Sequence, residues 1–103
     1  RNYANAEESY RAILDHPDSP AFYKALAGLG TVAEAAGDAA KARQYYEQAV
    51  VHNPFSPDAF LKLASLHIQA KDFAQARAAL ESGLRSNPGD RRLEGELASL
   101  PPP

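Results

Sequence analysis

The stretch Leu26-Ala27-Gly28-Leu29-Gly30-Thr31-Val32-Ala33 is answered 34 residues later by Phe60-Leu61-Lys62-Leu63-Ala64-Ser65-Leu66-His67. The residues beyond each stretch keep step as well. The first is trailed by Ala42, Tyr46, Ala49 and Pro54, and the second, at the same spacing, by Ala76, Leu80, Gly83 and Pro88. Apolar residues three and four apart turn one face of a helix toward a core, and a fixed stride of this length marks a stacked helical repeat. Working outward, residues 1–6 (Arg-Asn-Tyr-Ala-Asn-Ala) match residues 71–76 (Lys-Asp-Phe-Ala-Gln-Ala) in kind, and are followed by Tyr10, Ile13 and Pro17. Residues 37–42 form a weaker copy that keeps Asp38 and the closing Ala42.

The borders of these segments explain where the chain turns. Ser19-Pro20 and Ser56-Pro57 each set an N-cap hydroxyl before a proline whose missing N–H costs nothing at the first helical position. Asn2, Asp38 and Asp72 are N-caps for the second helix of each pair, and Gly37 can take the left-handed conformation that closes the helix before it. His16, His52 and Arg85 fall in last turns, where a donor suits unsatisfied carbonyls, and the prolines after them end each helix. The pattern predicts helices near 3–15, 20–36, 38–52, 57–70, 72–86 and 90–100, with no strand alternation. Connections this short force neighbours to lie antiparallel. The expectation is an all-α fold of about six helices in one domain over residues 1–100. It comprises a partial repeat (1–17), two repeats (20–54 and 57–88) and a terminal helix (90–100), followed by a proline tail at 101–103. Leu26, Tyr46, Phe60 and Leu80 are the expected heart of the core.

At 103 residues the chain has the size of one domain and can bury about 60–65% of its unfolded surface. Eleven Lys and Arg against thirteen Asp and Glu give a net charge of -2, with the signs interspersed, so neither a nucleic-acid arm nor a polybasic membrane patch is present. The longest nearly uncharged stretch, residues 25–33, falls far short of the roughly 20 apolar residues of a membrane span. Without cysteine there are no disulfides and no thiolate metal sites, a composition that suits cytoplasm and periplasm alike. The chain opens at Arg1 instead of Met and is expected to be a piece of something longer.

The octet Leu26, Leu29, Gly30, Ala33, Ala42, Tyr46, Ala49, Pro54 and its counterpart Phe60, Leu63, Ala64, His67, Ala76, Leu80, Gly83, Pro88 resemble the signature of the tetratricopeptide repeat (TPR). The resemblance covers residues from about 20 to 88. His67 stands where an aromatic is usual and Gly83 where alanine is usual, departures expected to weaken packing without changing the frame. The first unit is only a second helix, and Leu93, Leu97 and Leu100 belong to a lone final first helix. The resemblance implies a right-handed α-solenoid of antiparallel helix pairs, with a concave groove lined chiefly by first helices that binds a peptide or helix of a partner protein. Carried onto this sequence, the groove positions are Lys24, Ala27, Gly28, Thr31, Glu34 and Ala35, then Asp58, Leu61, Lys62, Ser65, Ile68 and Gln69.

Leu61 and Ile68, seven residues apart beside the core stripe, either offer an apolar strip to a partner or pack on the next unit. Lys62 either meets a partner carboxylate or pairs with Asp58 four residues before it, the ordinary intrahelical arrangement. The Lys and Asn set that clamps a terminal carboxylate in chaperone-tail-binding family members is not present, which disfavours that role. Asp15, His16 and Asp18 form the only tight group of metal-ligand types, and helix-end positions account for them without a metal. Nothing resembles a Ser/His/acid set, a phosphate loop or an H-E-x-x-H helix, so no catalytic residue, cofactor or metal is assigned. The reading is a non-catalytic protein-interaction scaffold. Its alternatives are an accessory domain of a larger enzyme or assembly, and a structural spacer. Tyr3, Tyr10 and Ile13, on a second helix without its partner, are expected to meet upstream chain or another copy of this one.

Overall fold

A computed structural model describes residues 3–16 and 21–101, with the side chains of the first helix described from Glu8 onward. The expected caps at Asn2 and Ser19, with Pro17, Asp18, Pro20, Pro102, Pro103 and the side chains of Tyr3 and Ala6, lie outside the described residues. Among those described there are six helices and no strand: α1 (Tyr3–Leu14), α2 (Phe22–Ala35), α3 (Ala39–His52), α4 (Pro57–Gln69), α5 (Phe73–Ser86) and α6 (Arg91–Ser99). Two compact units contain them, Arg1–His52 and Asn53–Pro103.

In the first unit α1 packs on α2 and α2 on α3. Ala25, Leu26, Leu29, Gly30 and Ala33 of α2 are buried, as are Ala42, Tyr46 and Ala49 of α3. The backbones can approach because position 30 has no side chain. A Cβ built there would stand 2.5 Å from the ring of Tyr46, which is fully buried. Burial would strand the phenol hydroxyl, but it donates to Glu34 Oε1 at 3.0 Å and lies 3.2 Å from Thr31 Oγ1. Burial pushes the Tyr46 phenol from 10.0 up to about 12, with the Glu34 carboxylate adding to the rise and the Thr31 hydrogen bond opposing it.

In the second unit α4 packs on α5, and α6 covers both. The buried set is Ala59, Phe60, Leu63, Ala64, Leu66 and His67 with Ala76, Ala79, Leu80, Gly83 and Leu93. Here the close approach is made with the opposite assignment. Phe60 takes the place of Leu26 and Gly83 the place of Ala49. A Cβ on Gly83 would meet Phe60 Cγ at 2.9 Å and Leu93 Cδ1 at 3.2 Å. The glycine is therefore not the weakness the sequence suggested, because it makes room for the larger ring. His67, in the place of Ala33, is buried, with 8% exposure.

The turns show what the borders do. Asp38 accepts from Lys41 N, Asp72 from Gln75 N, and Asp90 from both Arg92 N and Leu93 N, each covering orphan donors of a helix start. Ser56 holds the extended N-cap backbone before Pro57, but its hydroxyl does not cap the helix as expected. After α2, Gly37 at φ +86° lets Asp38 N reach Ala33 O and Gly37 N reach Glu34 O. After α4 the same two bonds form, from Asp72 N to His67 O and Lys71 N to Ile68 O, with Lys71 forced to φ +60° where its counterpart is glycine. Asn87 closes α5 by donating its amide to Gly83 O and Pro54 O, tying the helix end to the turn before α4. Along α6 the stride puts exposed Glu94 and Ala98 where α2 and α4 bury Leu26 or Phe60 and Gly30 or Ala64. That face of α6 is built for water.

This packing carries three expected outcomes. Gly83→Ala is expected to cost about 1–2 kcal/mol in urea unfolding, overpacking outweighing the gain in helix propensity, and Phe60→Leu in the same chain should recover part of that loss. Lys71→Gly should add about 0.5–1 kcal/mol by relieving the left-handed backbone. The free phenol ionises near pH 10, and the folded state holds the Tyr46 proton to about 12. Its contribution to stability is thus present below pH 10 and lost between 10 and 12. The urea midpoint should fall across that window less steeply in Tyr46→Phe than in the parent.

Candidate functional site

The second unit brings two first-type helices, α4 and α6, side by side with α5 packed on both. Two antiparallel steps leave them pointing the same way, so their N-terminal ends adjoin. There Arg92 Nη1 donates to Asp58 Oδ1 at 2.8 Å, an ion pair whose side chains are 60% and 63% exposed. Such a pair adds at most about 1 kcal/mol, and its consequence is positional, since it bridges the mouth between the helices.

Beyond the pair a cleft of about 640 Å³ opens, lined from α4 by Leu61, Ser65 and Ile68, and from α6 by Arg91, Arg92, Gly95, Glu96 and Ser99. Leu61 and Ile68 are half-buried and form an apolar wall. Ser99 donates its hydroxyl to Gly95 O at 2.9 Å, and Gln69 Nε2 reaches Ser65 Oγ at 3.5 Å. The volume is within the range of ligand sites, and the mixture of apolar wall, hydroxyls and charged rim is of the kind that orients a bound chain.

The structure brings together three of the expected contact residues, Leu61, Ser65 and Ile68. Asp58 stands at the mouth of the same cleft, but its partner is Arg92 of α6 and not Lys62 as expected. A planar guanidinium one repeat away reaches the carboxylate, and exposed Lys62 has no ion pair among the described residues. Lys62 and Gln69 are exposed and do not line the cleft.

In the first unit the expected positions have other duties. Thr31 and Glu34 serve the Tyr46 hydroxyl, and Thr31 also donates to Ala27 O at 3.1 Å. A Cβ on Gly28 would fall on the ring of Tyr10, so α1 covers that point. Lys24 and Ala35 are exposed and Ala27 is half-buried.

Sequence reasoning missed the α6 side of the cleft. The signal was present, because the 34-residue stride carries Asp58, Leu61, Lys62 and Ser65 onto Arg92, Gly95, Glu96 and Ser99.

Elsewhere α3 carries a smaller depression of about 340 Å³ beside Val51 and His52, and the His52 ring meets Phe22 edge-on with centroids 4.6 Å apart. No three His, Asp or Glu side chains gather as metal ligands among the described residues, and no described helix is long and apolar enough to cross a membrane.

Comparison with known proteins bears on this geometry. No curated protein matches the chain by sequence. Among solved structures, the first TPR of Spaghetti (RPAP3), bound to the HSP90 peptide SRMEEVD, is similar with a TM-score of 0.72 at 18% identity, over 93% of this chain and 76% of that one. At that identity the likeness is one of fold, an all-helical tetratricopeptide architecture. Tetratricopeptide repeat profiles match residues 33–100 and, separately, residues 1–60. With paired helices at a 34-residue stride and both profiles matching more than half its length, the chain belongs to the tetratricopeptide repeat family.

Proposed function

We propose that this chain is a non-catalytic protein-interaction module that binds a peptide segment of a partner protein in the α4/α6 cleft of its second unit. The observation that carries the reading is the cleft itself. Leu61 and Ile68 stay half-buried beside a space large enough for side chains, although Phe60, Leu63 and Ala64 of the same helix are sealed in the core. Family membership supports it, since these stacks present variable residues on a shared frame. The similar domain of Spaghetti was solved with a peptide bound, so the fold can serve this purpose. In the first unit, Thr31 and Glu34 of α2 are engaged with Tyr46.

Selecting a displayed random-peptide library on the immobilised chain, then mapping the enriched peptides by amide chemical shifts, tests the reading. Shifts are expected at Leu61, Ser65, Ile68 and along α6, and Leu61→Lys should weaken binding about tenfold while leaving the fold intact. Shifts confined to other surfaces, or no enrichment, would count against it.

A further inference from the structure

We infer that the turn at residues 53–56 is a second binding surface, which presents Phe55 to the α4/α6 cleft of another copy of this chain; the inference rests on the cleft being a peptide-binding surface. Phe55 is 74% exposed and is the one exposed large apolar side chain of the second unit among the described residues. The fold does not ask for a ring at this place. One stride on, the turn before α6 carries Gly89, at φ +82°, and so presents no side chain at all.

A lone apolar residue is ordinary on a protein surface, but this one is held still. Phe55 N donates to Asn53 Oδ1 at 3.2 Å, Ser56 N donates to Asn53 O at 3.5 Å, and Asn87 Nδ2 donates to Pro54 O at 2.9 Å. Prolines at 54 and 57 restrict the backbone on both sides of the ring. A ring fixed outward on such a turn leaves little backbone freedom to lose when a partner buries it, which is the property of an anchor.

The cleft supplies the receptor. Half-buried Leu61 and Ile68 wall it, and its volume of about 640 Å³ admits a phenyl ring together with the turn behind it. Its charges cancel, since Arg91 and Arg92 of α6 are balanced by Glu96 of the same helix and by Asp58 at the mouth. A lining without net charge favours a neutral occupant, and residues 53–57, Asn-Pro-Phe-Ser-Pro, carry no charge. Phe55 does not line the cleft of its own chain and stands in water, so the ring that enters comes from a second copy. The contact joins two different surfaces, and a defect in either one is therefore complemented by a chain in which that surface is intact.

Sedimentation velocity on the parent chain, on Phe55→Ser and on Leu61→Lys tests the pairing. The parent should be monomeric at about 10 μM and populate higher-mass species at about 500 μM, the behaviour of a small, weak interface. Each variant alone should weaken association about tenfold. An equal mixture of the two should regain it, because one chain supplies an intact cleft and the other an intact Phe55. In that mixture, isotope-labelled Phe55→Ser should show amide shifts at Leu61, Ser65 and Ile68, and labelled Leu61→Lys should show them at Phe55 and Ser56. Association that survives Phe55→Ser, or a mixture that stays monomeric, would overturn the inference. So would a parent that stays monomeric at the higher concentration while library-selected peptides still shift Leu61 and Ile68, an outcome that leaves the cleft as a peptide site. A parent that neither self-associates nor enriches a peptide would remove both the pairing and the reading beneath it.

Discussion

The distance between paired helix backbones is the constraint on which the rest of this protein depends. Close packing tolerates neither a void nor an overlap of a methyl group, so wherever one helix projects a ring the facing helix must give up a side chain. The first unit meets that condition with Gly30 against Tyr46, and the second meets it with Gly83 against Phe60. The same helical hairpin is thus built twice with the large and small partners exchanged between helices. Neither glycine is a lapse from the repeat pattern, because each is half of a complementary pair.

Complementarity has a chemical consequence in the first unit. Filling the space with tyrosine instead of leucine buries a hydroxyl, which then needs partners, and Glu34 and Thr31 of α2 supply them. Two side chains at contact positions of the repeat are drawn into holding the hairpin. In the second unit Leu80 occupies the place of Tyr46 and makes no such demand, so the outward face of α4 remains open toward α6. The choice of one core residue decides which outward side chains of the neighbouring helix are engaged within the hairpin.

Local signals in the chain are strong enough to mark the helices. Aspartates at 38 and 72, the glycine at 37 and the proline at 57 act within a few residues of themselves, and the structure places them at the borders their chemistry demands. Reasoning of the same local kind failed where the partner was remote. Asp58 looked toward Lys62 along its own helix but meets Arg92, 34 residues away, because the neighbouring helix brings a longer, forked donor to it. Gly83 looked like a defect when compared with alanine at its own position, since the ring that requires it is contributed by another helix. The α6 side of the cleft was overlooked because only the leucines of that final first helix were followed, and the outer positions of α4 were not carried onto it along the stride.

The sequence by itself determined that the chain is helical, where its helices begin and end, and that they recur on a 34-residue stride, because capping, backbone restriction and apolar periodicity are interactions of near neighbours. Tertiary structure alone decided which small residue accommodates which ring, which charge Asp58 finds, and that Leu61, Ile68 and Gly95 border one space. Those outcomes depend on distances between helices, and such distances are set by summed side-chain volumes that no single segment carries.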